Sequence, residues 1–266
     1  MKKLHFNLSA STINNFSTCP WAFKLDKIDK RQVIRLPSVH LVFGQALHKL
    51  LQKFYNTGRF SNTKTLFENW PKFFDIETKQ QQAEQLELKY SKATGFTMIK
   101  NWVAMAKEHD WLHEVYLFND GKKGIELEFL LPYNNKRFEI NMHGFMDLVI
   151  ESHGCLNILD WKTGKHDVEK YRMQGLIYSW ALYKRYGLVE EKVRFVHPSK
   201  KENKIIDIVV KDEDYMIVSN EVEKMFDAIE NNKFEKNRGD HCKYCNWVDC
   251  ENNINESLKS FLKKDR

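Results

Sequence analysis

The segment that decides the fold spans residues 141–162 and reads NMHGFMDLVIESHGCLNILDWK. Two apolar runs in it, at 145–150 and 156–161, have the length of short strands, and the His-Gly pair between them is typical of a turn. Each run carries one aspartate, Asp147 or Asp160. A carboxylate among buried residues is costly unless a cation or hydrogen-bond donors compensate it. The pattern therefore indicates a functional acidic site on two adjacent strands.

A lysine follows the second aspartate at a spacing of two. Asp160 and Lys162 therefore leave the same face of a strand. Two aspartates supply the oxygen ligands that a hard divalent ion prefers. A lysine beside them can orient or deprotonate a water and offset the charge of a phosphate. On its own, such an Asp-x-Lys sequence is typical of a surface salt bridge, so its interpretation depends on the other motifs of the chain.

The apolar pattern outside this segment predicts a mixed α/β core behind a mostly helical N-terminal part. Ser9 is expected to cap a short helix that ends near Thr18. Further helices are expected at 41–55, at two or three places between 62 and 109, at 170–186 and at 212–231. Further strands are expected at 115–118, 125–131, 137–143, 193–196 and 205–210, with a turn at 132–136 and a charged loop at 198–204.

The chain is expected to form a single domain over residues 1–266. No repeat or low-complexity linker interrupts it, and only 11 glycines and 5 prolines are present. Within that domain the residue pattern changes near residue 111, where it becomes mixed helix and strand, and again near 236, where cysteines become frequent. We expect a helical part at 1–110, an α/β core at 111–235 and a cysteine-rich tail at 236–266.

Composition narrows the class of protein. Apolar residues make up 42% of the chain, enough for a sizeable core, and the net charge of +6 suits a polyanionic partner. No run of about 18 apolar residues could span a membrane. The N-terminus lacks the apolar stretch of a signal peptide, so a cytoplasmic location is expected. No phosphate-binding loop of the G-x-x-x-x-G-K-[ST] type is present, so no P-loop motor is predicted.

The cysteines are grouped near the C-terminus. Cys242, Cys245 and Cys250 form a C-x-x-C-x-x-x-x-C pattern, which in a reducing compartment indicates a metal site, not disulfides. Zinc and a 4Fe–4S cluster both fit this spacing. The fourth ligand could be Cys19, Cys155, His241 or an oxygen.

Two more motifs complete the set. His48 follows a glycine in Gly44-Gln45-Ala46-Leu47-His48, and a later helix places Gln174 and Tyr178 on one face at i and i+4. Together with the aspartates, the lysine and the cysteines, this order of motifs resembles the PD-(D/E)XK nuclease superfamily in its RecB-like branch. The matches extend over residues 19–250.

This resemblance implies a fold and roles for individual residues. The fold would be a restriction-endonuclease-like core, in which helices flank a central mixed sheet, with a helical N-terminal insertion. A Mg²⁺ or Mn²⁺ ion would be bound by His48, Asp147, Asp160 and the backbone carbonyl of Trp161. Lys162 would position the attacking water, and Gln174 and Tyr178 would contact the DNA backbone near the scissile phosphate. Glu128 could help to bind a second ion, a role for which Glu126 competes.

The resemblance also suggests how the cysteines are used. Members with an iron–sulfur cluster, namely the Cas nucleases of CRISPR adaptation and AddB-type helicase-nucleases, take one cysteine from before the nuclease core and three from after it. Cys19 would join Cys242, Cys245 and Cys250 in a 4Fe–4S cluster that staples the C-terminal tail. The spacing before Cys250 is one residue shorter than is usual in the family, so zinc stays an alternative. Cys155 is expected to be a small buried residue.

The implied activity is that of a metal-dependent DNA nuclease. An exonuclease that acts on single-stranded or frayed DNA ends and leaves 5′-phosphates is favoured over a structure-specific endonuclease. One alternative is a non-catalytic DNA-end-binding subunit, although the complete acidic set favours an enzyme. Another is a redox-sensing iron–sulfur protein, which would leave the acidic site unexplained. Possible partners beyond DNA are proteins of DNA repair, recombination, phage replication or CRISPR adaptation. Basic residues interleaved with aromatic ones suit a single strand; they are Trp161, Lys162, Lys165, Lys170, Tyr171 and Arg172.

Overall fold

The computed structural model describes residues 2–33, 39–80, 89–113, 115–133, 137–164, 168–198 and 203–264. Its contacts divide the chain into two compact units built from alternating segments. The first unit comprises Met1–Leu36, Pro132–Met142 and Glu213–Arg266, and the second unit comprises Pro37–Leu131 and His143–Asp212. The limits of these units do not coincide with the boundaries expected near residues 111 and 236. The organisation as one domain stays a prediction.

The described secondary structure follows the expected order. The α-helices are α1 (Ala10–Thr18), α2 (Pro20–Phe23), α3 (Val39–Thr57), α4 (Lys64–Gln80), α5 (Lys89–Glu108), α6 (Val168–Tyr186), α7 (Tyr215–Glu230) and α8 (Glu256–Lys264). The strands are β1 (Lys2–Lys3), β2 (Ile125–Pro132), β3 (Phe138–Glu139), β4 (Asn141–Ser152), β5 (Cys155–Trp161), β6 (Lys192–His197) and β7 (Lys204–Ile208). A π-helical turn at Lys24–Ile28 and 3₁₀ turns at Asp212–Asp214 and Asp240–Tyr244 complete the set.

A five-stranded mixed sheet forms the centre of the second unit. Its strand order is β2-β4-β5-β6-β7. Strand β5 runs antiparallel to β4 and parallel to β6, and β7 returns antiparallel to β6. The register places Leu148 opposite Leu159 and Asp160 opposite Phe195. The expectation of an α/β fold with a central mixed sheet is confirmed.

Helices cover both faces of this sheet. Phe195 and Val196 are successive residues of β6, so their side chains leave opposite faces. Val196 belongs to a buried cluster with helices α3, α4 and α5. On the other face, Tyr171 of α6 stacks on Phe195 with ring centroids 4.8 Å apart. The aspartates of β4 and β5 therefore lie in a sheet that is held between two helical layers.

The layer of α3, α4 and α5 is unusually aromatic and fixes the end of β5. The Trp161 ring stacks on Tyr55 at 6.3 Å and meets Trp102 edge-on at 5.7 Å. The Tyr55 hydroxyl donates to the carbonyl of Trp111 at 2.9 Å, so this buried polar group is paired. Large rings of this kind provide much of a core's apolar burial. Because Trp161 is held in this layer, the backbone beside Asp160 has a defined position.

The first unit is held by shorter elements. Ser9 caps α1 as expected, since its Oγ accepts a hydrogen bond from the Thr12 backbone N–H at 3.1 Å. Strands β1 and β3 pair in parallel, and Phe138 stacks on Phe226 of α7 at 4.5 Å. Arg137, beside β3, forms ion pairs with three carboxylates of α7: Glu223, Asp227 and Glu230.

Several expected element boundaries were wrong. The predicted strand at 115–118 consists only of isolated bridges, Val115 with Ile150 and Leu117 with Lys123. The two strands expected at 137–143 and 145–150 are largely one continuous strand, β4. Gly144 does not break it, because its role is to admit Phe129: a Cβ at this position would lie 2.5 Å from that ring. The cysteine-rich tail also contains a helix, α8, that was not among the expected elements. The central parts of the turn at 132–136 and of the loop at 198–204 lie outside the described residues.

Candidate active site

Three side chains converge from separate elements of the second unit. His48 lies on α3, Glu126 on β2 and Asp147 on β4, and one ligand atom of each lies within 4.8 Å of the others. Among the described residues this is the only group of three or more His, Cys, Asp or Glu side chains with that spacing. Such a set of oxygen and imidazole donors suits a divalent cation.

Glu126, and not Glu128, is the glutamate of this group. Glu128 is exposed and its Oε1 lies 3.0 Å from His143 Nε2. Glu126 has a backbone φ of 45°, in the left-handed region that non-glycine residues seldom adopt. Such a conformation costs of order 1–3 kcal/mol and is most often found at functional sites. Of the two glutamates that compete for a role at a second ion, Glu126 is the one that lies beside His48 and Asp147.

His48 is bound on both sides of its ring. Its Nε2 lies 2.9 Å from the Trp161 carbonyl oxygen, and its Nδ1 lies 3.3 Å from Asp147 Oδ2. That carboxylate oxygen also accepts a hydrogen bond from the Trp161 backbone N–H at 2.8 Å. Both ring nitrogens face acceptors, which favours the doubly protonated imidazolium in the metal-free protein. The expected partners His48, Asp147 and the Trp161 backbone are therefore brought together.

Asp160 and Lys162 form a second, adjoining group with α6. Lys162 Nζ lies 2.5 Å from Asp160 Oδ1 and donates to Gln174 Oε1 at 2.9 Å. Gln174 Nε2 and the Tyr178 hydroxyl both donate to Asp160 Oδ2, at 2.9 and 3.0 Å. The Lys162 ammonium also lies 5.7 Å from the centroid of the Tyr171 ring. Asp160 is thus held by its protein neighbours.

Tyr178 is more deeply buried than the DNA contact expected for it requires, while Gln174 is half-buried. The predicted contact with the DNA backbone requires accessible groups, but Tyr178 is only 5% exposed. Its hydroxyl is engaged by Asp160 and Gln174. The geometry therefore indicates that Tyr178 supports the acidic site from behind, while Gln174 links Asp160 to Lys162.

The pKa values of the acidic site reflect both its burial and the number of carboxylates that lie close together. Burial lowers the pKa of His48, but the surrounding carboxylates, Asp147 first, outweigh it and raise that pKa to about 9. Burial and then repulsion from Asp147 raise the pKa of Glu126 to about 7. The pKa of Asp160 is raised by the same two causes, whereas His48 holds the pKa of Asp147 below its usual value despite burial. An added cation would relieve this repulsion.

A close approach of α3 to the chain after β5 explains the glycine four residues before His48. A Cβ on Gly44 would lie 3.1 Å from the Thr163 hydroxyl. Glycine removes this crowding and lets α3 approach the strand that carries Asp160. The Gly-x-x-x-His spacing noted in the sequence therefore has a packing reason as well as a chemical one.

The cysteines lie in the first unit. Cys19, Cys242, Cys245 and Cys250 line one small cavity, and all four are free thiols. In the described residues, however, they do not form a compact group of three or more ligand atoms within 4.8 Å. The cysteine cluster expected from the tail motif is therefore not seen as such. Cys155 is exposed, not buried as expected, because it starts β5 next to the β4–β5 turn.

The basic cluster expected near the site is described in part. Lys170 and Arg172 are exposed on the first turns of α6, while Lys165 lies outside the described residues. None of the helices that the structure describes is long and apolar enough to cross a membrane.

Known proteins resemble this chain in sequence or in fold. A protein from Mycobacterium phage D29, described as "Gene 69 protein", is 24% identical over 202 residues, which cover 69% of this chain and 71% of that protein. A solved structure described as "Putative exonuclease" from Eubacterium rectale superimposes with a TM-score of 0.50 at 16% identity, over 90% of this chain and 86% of the other. This second likeness concerns the fold alone.

A family model that matches most of the chain identifies the family. The model of the PD-(D/E)XK nuclease superfamily matches residues 7–250, a range that includes every residue of the acidic site and all four grouped cysteines. The mixed sheet, the two aspartates on adjacent strands and the lysine two residues after the second fit that match. This chain belongs to the PD-(D/E)XK nuclease superfamily.

Proposed function

We propose that this protein is a metal-dependent DNA exonuclease that hydrolyses phosphodiester bonds at single-stranded or frayed ends. The observation that carries the proposal is the convergence of His48, Glu126 and Asp147 beside the Asp160–Lys162 pair. The acidic residues and the lysine are all present, which favours an enzyme over a non-catalytic end-binding subunit. A structure-specific endonuclease of the same fold is the alternative that the assay below separates.

The donors of this site suit Mg²⁺ or Mn²⁺. Two carboxylates, an imidazole and the nearby Trp161 carbonyl are hard or borderline ligands. Burial first, and then repulsion from Asp147, raises the pKa of Glu126, and a bound cation would favour the charged form of this carboxylate. We assign His48, Glu126 and Asp147 as ligands, with Asp160 and the Trp161 carbonyl as expected from the family resemblance. When bound, the ion polarises a phosphoryl oxygen and lowers the pKa of a bound water.

The remaining chemistry falls to Lys162 and its neighbours. Its ammonium, held by Asp160 and Gln174, would orient the attacking water and offset charge that develops on the phosphate. The water oxygen adds to phosphorus as the water loses a proton to solvent, the bond from phosphorus to the 3′-oxygen breaks, and that oxygen takes up a proton. One product therefore ends in a 3′-hydroxyl and the other keeps a 5′-phosphate. Tyr178 and Gln174 would keep Asp160 in one orientation through their hydrogen bonds to Oδ2.

DNA as substrate is supported by charge. The chain carries a net charge of +6, and exposed Lys170 and Arg172 start the helix whose Gln174 contacts Lys162. Basic side chains near a nuclease site attract phosphates and release counterions. The description of the Eubacterium rectale neighbour as "Putative exonuclease" supports cleavage from an end.

We further propose that Cys19, Cys242, Cys245 and Cys250 hold a 4Fe–4S cluster with a structural role. The support is that all four line one cavity although Cys19 lies far from the others in sequence. A tetrahedral zinc ion with Zn–S distances of about 2.3 Å would bring its sulfurs to about 3.8 Å from one another. The described thiols are not grouped so tightly. A cluster that offers a separate iron to each cysteine spans a wider gap.

A cleavage assay tests the proposed function. End-labelled single-stranded and duplex DNA are incubated with the protein and Mg²⁺, Mn²⁺ or EDTA, and the products are resolved by length. We expect progressive shortening from an end, with 5′-phosphate products, and no cleavage in EDTA. Discrete internal fragments would instead identify an endonuclease. Absence of cleavage with both metals, or cleavage that persists in EDTA, would contradict the proposal.

A further inference from the structure

We propose that Phe145, supported by His143, is a stacking platform for a nucleobase next to the scissile phosphate, and that it selects single-stranded DNA. This inference rests on the proposed nuclease function and names the form of DNA that the site accepts. It is carried by the position of Phe145 on β4, by the exposure of its ring and by the charges around it.

The position of Phe145 connects it to the acidic site. His143, Phe145 and Asp147 are alternate residues of β4, so their side chains leave the same face of the strand. Two residues along a strand correspond to about 6.6–6.8 Å. A ring at that distance from Asp147 is placed to meet the base of a nucleotide whose phosphate reaches the metal ligands.

The ring is both exposed and held in place. Phe145 is 44% exposed, whereas Met146 and Asp147 beside it are buried. The His143 ring meets it edge-on, with centroids 5.3 Å apart and an angle of 66°. His143 is itself anchored, since its Nε2 lies 3.0 Å from Glu128 Oε1. A fixed aromatic ring with accessible surface is what base stacking on a protein requires.

The surrounding charge decides which part of a nucleotide can approach. Glu128, which anchors His143, is an exposed carboxylate, and Glu126 lies on the same strand, β2. These groups repel phosphates that are not neutralised by a bound metal ion. An uncharged base can approach them without this repulsion. The strip that contains Phe145 therefore suits a base, and it is unsuited to the phosphate backbone.

A preference for single strands follows from the energetics of stacking. In a duplex, a base must first leave its partner and its neighbours before it can stack on a protein ring, and this has an energetic cost. A single strand or a frayed end has already lost most of those interactions. Removal of the ring should therefore weaken binding of single strands much more than binding of duplex.

The first test compares ring and non-ring residues at position 145. Phe145→Leu keeps an apolar side chain but removes the ring, Phe145→Trp keeps a ring, and Tyr183→Leu is the matched control, since Tyr183 is an exposed aromatic residue of α6 in the same unit. Binding of a labelled single-stranded oligonucleotide and of a blunt duplex is measured in EDTA, by fluorescence anisotropy. This measurement does not depend on cleavage.

We expect Phe145→Leu to bind the single strand roughly 5- to 150-fold more weakly, the range that one base–aromatic stack is worth. Duplex binding should change less than about two-fold, and Phe145→Trp and Tyr183→Leu should bind both forms like the wild type. Wild-type affinity of Phe145→Leu for the single strand, equal losses for both forms of DNA, or no binding of single-stranded DNA by the wild type would each overturn the proposal.

A second test uses the unmodified protein, so it does not depend on the folding of a variant. A single-stranded oligonucleotide with 5-iodouracil near its end is bound in EDTA and irradiated, and the cross-linked residue is identified by mass spectrometry. We expect the cross-link at Phe145 or His143. Cross-links at other residues only would contradict the platform. If the platform is confirmed but no cleavage occurs with either metal, the proposed function fails while DNA binding at this face stands.

Discussion

The acidic group of the second unit and the cysteine group of the first unit differ in how far they are organised without a metal. In the acidic group most side chains already have protein partners: His48 is bound by Asp147 and the Trp161 carbonyl, and Asp160 by Lys162. The four cysteines share a cavity but no compact ligand group. The side chains of the first group are thus already positioned by protein contacts, whereas the proposed cluster would have to draw the four thiols of the second group together.

This difference predicts that the two groups fail in different ways when they are altered. Loss of an acidic residue should remove activity and leave the fold intact. Loss of a cysteine should reduce stability, and activity should fall because the protein unfolds. The predictions below begin with the largest expected effect.

The largest effect is expected at Asp160 and Lys162. Asp160→Ala or Lys162→Ala should lower the cleavage rate by on the order of 10³-fold or more, because each removes transition-state stabilisation of several kcal/mol. DNA binding and the thermal midpoint should be largely retained. Single-turnover cleavage, with binding and unfolding measured on the same preparations, checks this. Cleavage by Lys162→Ala at the wild-type rate would show that the site is wrongly assigned.

The cysteines should dominate stability. Substitution of Cys19, Cys242, Cys245 or Cys250 should lower solubility and the thermal midpoint, since a link across so long a loop restricts the unfolded chain, by roughly 4–5 kcal/mol on the analogy of a disulfide. Cys155→Ala, at an exposed thiol outside the cavity, is the control and should leave both unchanged.

Metal analysis of anaerobically purified protein identifies the ligand of these cysteines. About four irons with sulfide per chain would support the cluster. One zinc without iron would replace it by a zinc site and leave the acidic-site account unaffected. If Cys19→Ala is as stable as the wild type, the stapling role is wrong.

The two glutamates of β2 offer a matched pair. Glu126→Gln should lower cleavage by about 100-fold, because it replaces a charged ligand at the convergent group by a neutral amide of similar size. At saturating DNA, Glu128→Gln should change cleavage less than about three-fold, since Glu128 lies outside the convergent group and a glutamine can still hydrogen-bond to His143. The rates are compared at saturating Mg²⁺. Equal losses of cleavage in the two variants would contradict the assignment of Glu126, and not Glu128, to the acidic group.

The smallest loss of cleavage is expected at Tyr178, a buried residue that contacts Asp160. Tyr178→Phe removes the hydroxyl that donates to Asp160 Oδ2 at 3.0 Å, and a hydrogen bond to a charged group is worth about 1.5–3 kcal/mol. We expect a loss of about 10-fold in the cleavage rate with little change in DNA affinity. Tyr183→Phe, at an exposed tyrosine of the same helix, should be neutral. A large loss of DNA affinity in Tyr178→Phe would instead support the direct contact between Tyr178 and the DNA backbone that the family resemblance implies.

The sequence predicted most of the fold and much of the site, because both depend on local patterns. Apolar periodicity located α3 and α6, and the apolar runs located β5 and β6, each within a few residues. The spacing of Asp160 and Lys162 placed both on one face of the strand, and the structure pairs them at 2.5 Å. Gln174 and Tyr178 share a helical face as i and i+4 positions require, and their side chains meet.

What the sequence did not predict depends on contacts between distant residues. Glu126 and Glu128 are alternate residues of one strand, and no local signal announces the positive φ at Glu126 that accompanies its place beside His48 and Asp147. One strand was expected to end at residue 143 and another to begin at 145, because the packing of Gly144 against Phe129 cannot be inferred from neighbouring residues. The burial of Tyr178, which changes its role, depends likewise on the sheet beneath it.

Binding of Mn²⁺ shows directly whether the acidic group is a metal site, because Mn²⁺ prefers the oxygen and nitrogen donors of this group to thiolates. The loss of the free-ion electron paramagnetic resonance signal is followed as the wild type, Asp147→Asn and Glu128→Gln are titrated with Mn²⁺. We expect saturable binding by the wild type and by Glu128→Gln, and binding weakened at least 10-fold in Asp147→Asn. Wild-type affinity in Asp147→Asn, or no binding by the wild type, would contradict it.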